Sequence, residues 1–284
     1  MRRIFRSCFP LGIGLTIAVL LNLTIGWWGF WVIFPWIGFS ITTGSIIREV
    51  TSGDHKLLGR KVSLLMILPC LLLFVPIVNN ENFQLEGVAL IVAVGFFSKG
   101  FIHYAIAKLF GPLIWGRGFC GWACWTAAVL EWLPIKSTQK VPPGKYRYIR
   151  GIMLMLSIAF PLYLIFVLNF NVYTEYINKQ EMVWMFTGNA LYYVLGIPLA
   201  FIMNDKRAFC KVLCPVSLVM MPTTRISAIK IRPKKNDCIG CGKCTAVCPM
   251  GIDVMAYIQK RKRVTSPECI LCGDCRVVCP VKAI

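Results

Sequence analysis

Charged side chains are scarce in this sequence. Asp, Glu, Lys and Arg make up 15% of its 284 residues, and hydrophobic residues make up 57%. About a quarter of the residues of a soluble domain are charged, so this composition is unusual for a soluble protein. Apolar runs long enough to cross a bilayer favour lipid as the place where this surface is buried. The sequence therefore predicts a membrane protein.

Histidine and nucleotide-binding motifs are also lacking. The two His present, His55 in a predicted loop and His103 in a predicted membrane span, are not placed to hold a haem b between them. No C-x-x-C-H motif is present for the attachment of a c-type haem. No Gly-rich phosphate loop or dinucleotide fingerprint occurs either, so we expect neither ATP nor NAD as a substrate.

The predicted membrane domain contains about six helical spans. No Asp, Glu, Lys or Arg lies between Arg6 and Arg48, and one continuous helix there would be about 60 Å long, twice the hydrocarbon thickness. We therefore predict two spans joined by a turn within residues 22–29. The other four spans are predicted at about 62–78, 87–107, 151–170 and 183–203. No signal-peptide cleavage site follows the first residues, so we expect the first span to be retained.

Positive charge lies at the ends of these spans. The net charge of +19 suggests a nucleic-acid surface at first sight, but we expect no nucleic-acid partner, because the basic residues separate the apolar runs. Those before span one and in every second connection are Arg2, Arg3, Arg6, Arg48, Lys56, Arg60, Lys61, Lys108, Arg117, Lys136, Lys140, Lys145, Arg147 and Arg150. The opposite segments, 79–86 and 171–182, contain Lys179 beside Glu81, Glu86, Glu175 and Glu181. The positive-inside rule predicts that both termini are cytoplasmic.

The most specific motif occurs twice among the 14 Cys. Two C-x2-C-x2-C-x3-C-P runs follow the bacterial ferredoxin pattern, in which three thiolates of a run hold one [4Fe-4S] cluster and the fourth reaches the other cluster. The predicted ligands are Cys238, Cys241, Cys244 and Cys279 for cluster 1, and Cys248, Cys269, Cys272 and Cys275 for cluster 2. Two four-thiolate zinc sites are the alternative, although zinc ribbons pair two C-x2-C knuckles instead.

Two C-x3-C motifs lie at the predicted cytoplasmic ends of spans four and six. Their members are Cys120 and Cys124 in the first, and Cys210 and Cys214 in the second. Residues four apart share a helical face, so four soft ligands from two helices could hold a third Fe–S cluster at the membrane edge. Redox-active thiol pairs and inert buried thiols are the alternatives.

Together these motifs resemble the membrane-bound polyferredoxins of the NapH/NosR type, from about residue 100 to residue 284. That family pairs two membrane-adjacent C-x3-C-P motifs with a C-terminal two-cluster ferredoxin, and it accompanies periplasmic nitrate and nitrous-oxide reductases. The resemblance implies an electron-transfer subunit of an oxidoreductase complex of the quinol dehydrogenase type. Two features depart from the pattern: Trp125 follows Cys124 in place of proline, and six spans are predicted where the nitrate-reductase type has four.

Three side chains are candidates for a quinone site. Lys99 and His103 are four residues apart on span four, and an ionisable group at membrane depth is a functional hypothesis by default. Lys99 could instead extend to the cytoplasmic interface. Glu131 follows the first C-x3-C motif and could accept a proton at that interface, although an interfacial carboxylate without such a role is commoner.

The predicted architecture is an all-α transmembrane domain over residues 1–230 and a cytoplasmic α+β ferredoxin domain with two [4Fe-4S] clusters over residues 231–284. We expect a multi-pass protein of the cytoplasmic membrane, surrounded by lipid. It would transfer electrons between the quinone pool or a cytoplasmic donor and a membrane or periplasmic partner, either an iron-sulfur or a cytochrome protein. The alternative is a maturation factor that reduces a metal or a thiol while a periplasmic metalloenzyme is assembled.

Overall fold

The computed structural model describes residues 7–79, 82–93, 99–137, 141–142, 144–169, 177–234 and 237–284. The regular structure in these ranges is helical, and no β-strand occurs within them. The predicted helical character of the chain is confirmed at this level, whereas the α+β composition of the C-terminal domain is not confirmed. In that domain, isolated backbone hydrogen bonds from Val264 to Ile231 and from Lys234 to Ala283 join stretches of chain without forming a ladder.

The helices are numbered in chain order. They are α1 (Phe9–Ile25), α2 (Phe30–Val50), α3 (Leu58–Pro69), α4 (Val75–Asn79), α5 (Leu85–Ala93), α6 (Lys99–Tyr104), α7 (Gly111–Trp115), α8 (Gly118–Trp122), α9 (Trp125–Leu130), α10 (Arg147–Phe166), α11 (Ile177–Ile202), α12 (Ala208–Val212), α13 (Val216–Arg225), α14 (Lys243–Val247), α15 (Val254–Gln259) and α16 (Asp274–Val277). Two π-helical segments, Cys70–Phe74 and Ala105–Phe110, connect α3 to α4 and α6 to α7.

The chain divides into two compact units. Unit 1 comprises Met1–Phe74 and Cys120–Trp132, and unit 2 comprises Val75–Phe119 and Leu133–Ile284. This division follows contacts between residues, whereas the predicted division at residues 230 and 231 follows the motifs. The predicted domain boundary therefore stays a prediction.

Unit 1 begins with a helical hairpin. Helix α1 ends at Gly26, whose φ of 74° closes the helix, and α2 begins at Phe30. The turn lies within the predicted interval 22–29. A Cβ atom added to Gly14 of α1 would lie 2.4 Å from the Phe34 carbonyl oxygen of α2, so only glycine permits this separation. Small residues give membrane helices their close packing in this way.

Basic residues at the ends of the unit 1 helices make specific contacts within this unit. Arg60 of α3 forms an ion pair with Glu131 at 2.8 Å, and both side chains are buried. The Arg48 guanidinium at the end of α2 lies 4.6 Å from the centre of the Trp122 ring. These contacts fasten the segment that follows Cys120 to α2 and α3.

Four helical stretches are long and apolar enough to cross a membrane. They are Phe30–Val50, His55–Val78, Arg147–Phe166 and Met182–Ile202. Large apolar side chains stay exposed on them, such as Phe166 at 72% and Ile202 at 81%, as expected of helices that face lipid. Helix α1 is shorter, at 17 residues. These helices are compatible with a membrane protein, and the count of six spans stays a prediction.

The predicted fourth span, 87–107, is wrong as a single helix. Helices α5 and α6 occupy parts of it, and the Lys108 ammonium donates to the Phe83 carbonyl oxygen at 3.0 Å. In a straight helix these two residues would be about 37 Å apart. The chain therefore reverses direction between α5 and α6, and Tyr104 packs in one buried cluster with Leu85.

This reversal leaves Glu86 half-buried within unit 2. Its Oε1 accepts hydrogen bonds from the Ser157 hydroxyl at 2.6 Å and the Tyr192 hydroxyl at 3.1 Å. Ser157 lies near the middle of α10 and Tyr192 near the middle of α11, and both helices are candidate spans. Glu86, predicted to belong to the connecting segment 79–86, thus lies at the start of α5 and contacts both of these helices.

Candidate iron-sulfur centres

The two C-x2-C-x2-C-x3-C-P runs adopt the same backbone conformation. Left-handed φ angles occur at three corresponding pairs of positions: Gly240 and Leu271, Gly242 and Gly273, and Gly251 and Lys282. Gly242 and Gly273 directly precede α14 and α16, the short helices that carry the third Cys of each run. Left-handed residues turn the chain sharply, which brings the first three thiols of each run around one space.

Each run contributes thiols to two small cavities. Cys238, Cys241, Cys244 and Cys279 line the first, and Cys248, Cys269, Cys272 and Cys275 line the second. Each cavity thus receives three Cys from one run and the last Cys from the other. This is the exchange that the spacing predicts. Apolar side chains complete the walls, among them Ile258 and Ile284 in the first cavity and Ile252 and Val264 in the second.

Each cavity presents four thiols, the number of ligands that a [4Fe-4S] cluster takes. Among the residues that the structure describes, no group of three or more His, Cys, Asp or Glu lies close enough together to hold one metal ion. The thiols instead stand around the wall of each cavity. A [4Fe-4S] cluster binds four thiolates at separate irons, so four thiols around one cavity fit such a group. The ligand assignment stays a prediction.

Burial makes several of these thiols weak acids. Desolvation raises the pKa of Cys275 to about 12 and also raises the pKa of Cys269 in the same cavity. It raises the pKa of Cys244 in the first cavity as well. Because the thiolate is the reactive form of cysteine, burial disfavours free-thiol redox chemistry at these positions.

A buried carboxylate lies directly before the second run. Glu268 accepts a hydrogen bond from Arg117 at 2.6 Å and another from Arg150 at 2.6 Å. Burial alone would raise the pKa of Glu268, but the hydrogen bonds and charges of Arg150 and Arg117 outweigh it and lower that pKa. This triad of Glu268, Arg117 and Arg150 was not predicted. Its one signal in the sequence is an acidic residue beside Cys269 in a chain with only 12 acidic residues.

The triad joins the C-terminal segment to the helical part of unit 2. Arg117 follows α7, Arg150 lies in the first turn of α10, and Glu268 belongs to the loop before the second run. Backbone amides of 228–229 also donate to the carbonyl oxygens of 113–114, at 2.9 and 2.8 Å. The cysteine-lined cavities are therefore attached to the membrane-type helices of this unit by buried polar contacts.

Both C-x3-C motifs contain a helix break between their two Cys. Cys120 lies in α8, which ends at Trp122, and the extended Cys124 precedes α9 with a ψ of 120°. Cys210 lies in α12, and Cys214 follows the end of that helix, before α13. The prediction that each pair lies on one face of a continuous helix is therefore wrong. In both motifs a short helix carries the first Cys and ends before the second Cys.

Asp205 organises the loop that leads into the second C-x3-C motif. It is 1% exposed, and its Oδ2 accepts hydrogen bonds from Lys211 at 2.6 Å and from the Val141 amide at 2.9 Å. Arg207 places a guanidinium nitrogen 4.0 Å from the Cys210 sulfur. A neighbouring cation favours the thiolate form of a cysteine, which is the form that binds a metal.

The two C-x3-C motifs belong to different units. Cys120 and Cys124 lie in unit 1, and Cys210 and Cys214 lie in unit 2. A third cluster held by both motifs stays a prediction.

The residues predicted for a quinone site have separate surroundings. Glu131 is engaged by Arg60 in unit 1. His103 is buried in unit 2, and its ring lies 5.1 Å from the Phe83 ring. Lys99 begins α6, and its side chain lies outside the described residues. Quinone binding by these three residues stays a prediction.

Two models of iron-sulfur protein families match the chain. A 4Fe-4S dicluster domain matches residues 228–280, which include both ferredoxin-type runs. A 4Fe-4S binding domain matches residues 104–140 and 188–234. The two segments of this second match contain the first and the second C-x3-C motif, respectively.

Several curated proteins are similar to parts of the chain. The methylamine utilization ferredoxin-type protein MauN of Methylobacillus flagellatus is 27% identical over 148 residues, 48% of this chain and 50% of MauN. YccM, a candidate electron transport protein of Escherichia coli (strain K12), is 41% identical over 56 residues, 20% of this chain and 16% of YccM. An uncharacterized protein of Methanocaldococcus jannaschii is 27% identical over 192 residues, 59% of this chain and 74% of that protein.

The chain thus spans half or less of the lengths of MauN and YccM. No solved structure matches it. The specific resemblance to the NapH/NosR type stays a prediction, because none of these three relatives carries that name. The chain carries 4Fe-4S domains of the ferredoxin type and is homologous to MauN and to the candidate electron transport protein YccM.

Proposed function

We propose that this protein is a membrane-bound iron-sulfur subunit that transfers electrons. It would connect the quinone pool or a cytoplasmic donor to a redox partner in the membrane or the periplasm, such as an iron-sulfur or cytochrome protein. The observation that carries the proposal is the pair of cavities in which two Cys runs exchange their last thiol. The names of MauN and YccM, which refer to a ferredoxin-type protein and to electron transport, support the same class.

Eight Cys would hold the two clusters of the C-terminal segment. Cluster 1 takes Cys238, Cys241, Cys244 and Cys279, and cluster 2 takes Cys248, Cys269, Cys272 and Cys275. When bound, such clusters supply one-electron carriers whose potentials depend on charge, hydrogen bonds and solvent exposure. The apolar walls of the two cavities would exclude water from them.

The two C-x3-C motifs would hold a third cluster. A 4Fe-4S binding model that spans both motifs supports this assignment, as does the guanidinium beside Cys210. The ligands would be Cys120, Cys124, Cys210 and Cys214. The basic connecting segments favour a cytoplasmic position for these motifs and for the C-terminal segment, in a multi-pass protein of the cytoplasmic membrane.

Iron and acid-labile sulfide counts on the purified full-length protein test the cofactor assignment. Three [4Fe-4S] clusters give about twelve iron atoms per chain, and two give about eight. Cys241→Ser should reduce the count, whereas Cys70→Ser should not, because Cys70 is buried in unit 1 outside every motif. A chain without acid-labile sulfide would contradict the proposal.

Electron transfer itself is tested by EPR spectroscopy. Dithionite should produce reduced-cluster signals, and oxidation by an added partner should remove them at a rate that keeps pace with turnover. Clusters that stay oxidised during partner turnover would contradict an electron-transfer role. About eight iron atoms per chain, with free thiols at both C-x3-C motifs, would favour the maturation-factor alternative, because those Cys would then be available for thiol or metal chemistry.

A further inference from the structure

Unit 2 contains an apolar cavity of about 360 Å³ between α5, α10 and α11. This volume lies within the range of small-molecule sites. Its aromatic walls include Phe160 and Trp184, whose ring centres lie 5.5 Å apart. Because α10 and the Met182–Ile202 part of α11 are candidate spans, a ligand would enter this cavity from the lipid phase.

One part of the cavity wall is polar. Glu86 and Gln84 line it, together with Ser157 and Tyr192. Ser157 and Tyr192 both donate to Oε1 of Glu86. The other carboxylate oxygen, Oε2, and the Gln84 amide nitrogen are buried without a hydrogen-bond partner among the described residues.

Two buried polar atoms without partners are costly in an apolar environment. Each loses its hydrogen bonds to water and gains none from the protein. The oxygen of an ionised carboxylate can accept a hydrogen bond but cannot donate one, and the amide nitrogen can donate but cannot accept. A complementary ligand therefore needs a hydroxyl group for Glu86, an acceptor oxygen for Gln84 and an apolar body for the rest of the cavity.

We propose that this cavity binds a quinol, with one hydroxyl donating to Glu86 and another oxygen accepting from Gln84. An ionised fatty acid and a phospholipid acyl chain both lack a hydroxyl group that could donate to Glu86. A quinol supplies both polar functions on an apolar ring that dissolves in lipid. The inference rests on the proposed electron-transfer role, which needs a membrane-soluble carrier.

The cavity is also connected to a candidate cluster ligand set. The Tyr192 ring, on the cavity wall, lies 5.1 Å from the Phe209 ring, and Phe209 directly precedes Cys210. The Tyr192 hydroxyl itself donates to Oε1 of Glu86 at 3.1 Å. A quinol beside Glu86 would therefore lie close to the second C-x3-C motif, within one unit of the protein.

A redox-inert analogue tests binding without relying on the clusters. The probe is 2-heptyl-4-hydroxyquinoline N-oxide, which carries one hydroxyl donor and one acceptor oxygen, and its O-methyl derivative lacks the donor. Both are titrated by fluorescence against the full chain in nanodiscs. The wild type should bind the hydroxyl form at least about tenfold more tightly, the usual effect of a hydrogen bond to a charged group. Glu86→Gln should remove this preference while keeping the acceptor for Ser157 and Tyr192.

Three further variants complete the experiment. Glu49→Gln changes an exposed carboxylate in α2 and should keep the preference. Leu191→Trp fills the cavity and should abolish binding of both analogues. Gln84→Met should weaken both by a similar factor, and it serves as the test if Glu86→Gln does not fold, as judged by iron content and circular dichroism.

The inference is overturned if the wild type binds neither analogue, if it binds both equally, or if Glu86→Gln keeps the preference. The inference would also be overturned if Gln84→Met bound both analogues with the same affinity as the wild type. These outcomes leave the iron and EPR results untouched, because the analogues exchange no electrons. Conversely, a chain without clusters would contradict the proposed function while analogue binding could still be measured.

Discussion

Glu268 places a single negative charge between two buried arginines. Its side chain is 6% exposed, and those of Arg117 and Arg150 are fully buried. A buried ion pair adds little net stability, because desolvation offsets the attraction, but removal of one partner leaves an uncompensated charge. The main effect of losing Glu268 would therefore be two buried arginine charges without a counter-charge.

Glu268→Gln should lower the free energy of unfolding by about 3–5 kcal/mol. The amide keeps the shape of the side chain but leaves Arg117 and Arg150 without a counter-charge. Heating the purified protein while following the visible absorbance of its clusters measures the change. Asp237→Asn is the control, because the Asp237–Arg261 pair is largely exposed and should change stability by less than about 1 kcal/mol. Equal effects of the two variants would contradict this account.

The same triad predicts a pH dependence. The folded state lowers the pKa of Glu268, so the contribution of the ionised group is complete above the ordinary pKa of a carboxylic acid. It is lost as the pH falls through the lowered pKa. Wild type should therefore lose stability in acid more steeply than Glu268→Gln, measured as the difference between their melting temperatures at neutral and acidic pH. Parallel curves would contradict this prediction.

Gly242 holds a left-handed conformation between two thiols of the first run, with a φ of 71°, and a Cβ atom there would meet nothing within 4 Å. Gly242→Ala should therefore cost at least about 1 kcal/mol through backbone strain, and contact with a bound cluster would add to this cost because Gly242 lines the first cavity. Gly151→Ala is the matched control, because Gly151 also faces open space but has no left-handed φ, and alanine is the better helix former. Thermal loss of cluster absorbance compares them, and an equal change in both would contradict the argument.

At the scale of secondary-structure elements, the reversal between α5 and α6 is the feature with most consequences. The buried Lys108 ammonium bonds to the Phe83 carbonyl oxygen and lies 4.5 Å from the Tyr104 ring centre. This cation joins the start of α5 to the end of α6. The reversal brings Glu86 and Gln84 to the cavity wall between α10 and α11.

A cross-link tests this reversal directly. The double variant Phe83→Cys/Lys108→Cys should react with a short bis-maleimide, because these positions lie in contact. In one straight helix they would be about 37 Å apart and could not be joined. Peptide mass spectrometry identifies the linked pair despite the native Cys, and each single variant is the control. A double variant without this link would contradict the reversal.

At the scale of the whole molecule, the charge asymmetry predicts the sidedness of the C-terminal segment. A green fluorescent protein fused after Ile284 should fluoresce, and alkaline phosphatase at the same place should be inactive, because positively charged connections stay in the cytoplasm. The same reporters inserted within 171–182 should give the opposite results. Active phosphatase at the C-terminal fusion would contradict the proposed orientation.

The cysteine-lined cavities could be anticipated because their geometry is mostly local. Three thiols of each cluster site come from one short loop, and the spacing within that loop decides which of them can meet. The apolar helices could also be predicted, because the length and composition of a segment decide whether it can cross a bilayer. The hairpin turn at Gly26 belongs to the same class, because glycine in a left-handed conformation ends a helix locally.

The sequence by itself therefore determined which thiols share a cavity and which segments form long apolar helices. Tertiary structure alone decided the reversal before α6, the contacts of Glu86 with α10 and α11, and the partners of Glu268. Each depends on a contact between residues far apart in the chain, such as Lys108 with Phe83 or Arg117 with Glu268. Hydropathy treats every apolar run as a straight helix and every charge as exposed, so it cannot detect a turn or an ion pair that only distant partners stabilise.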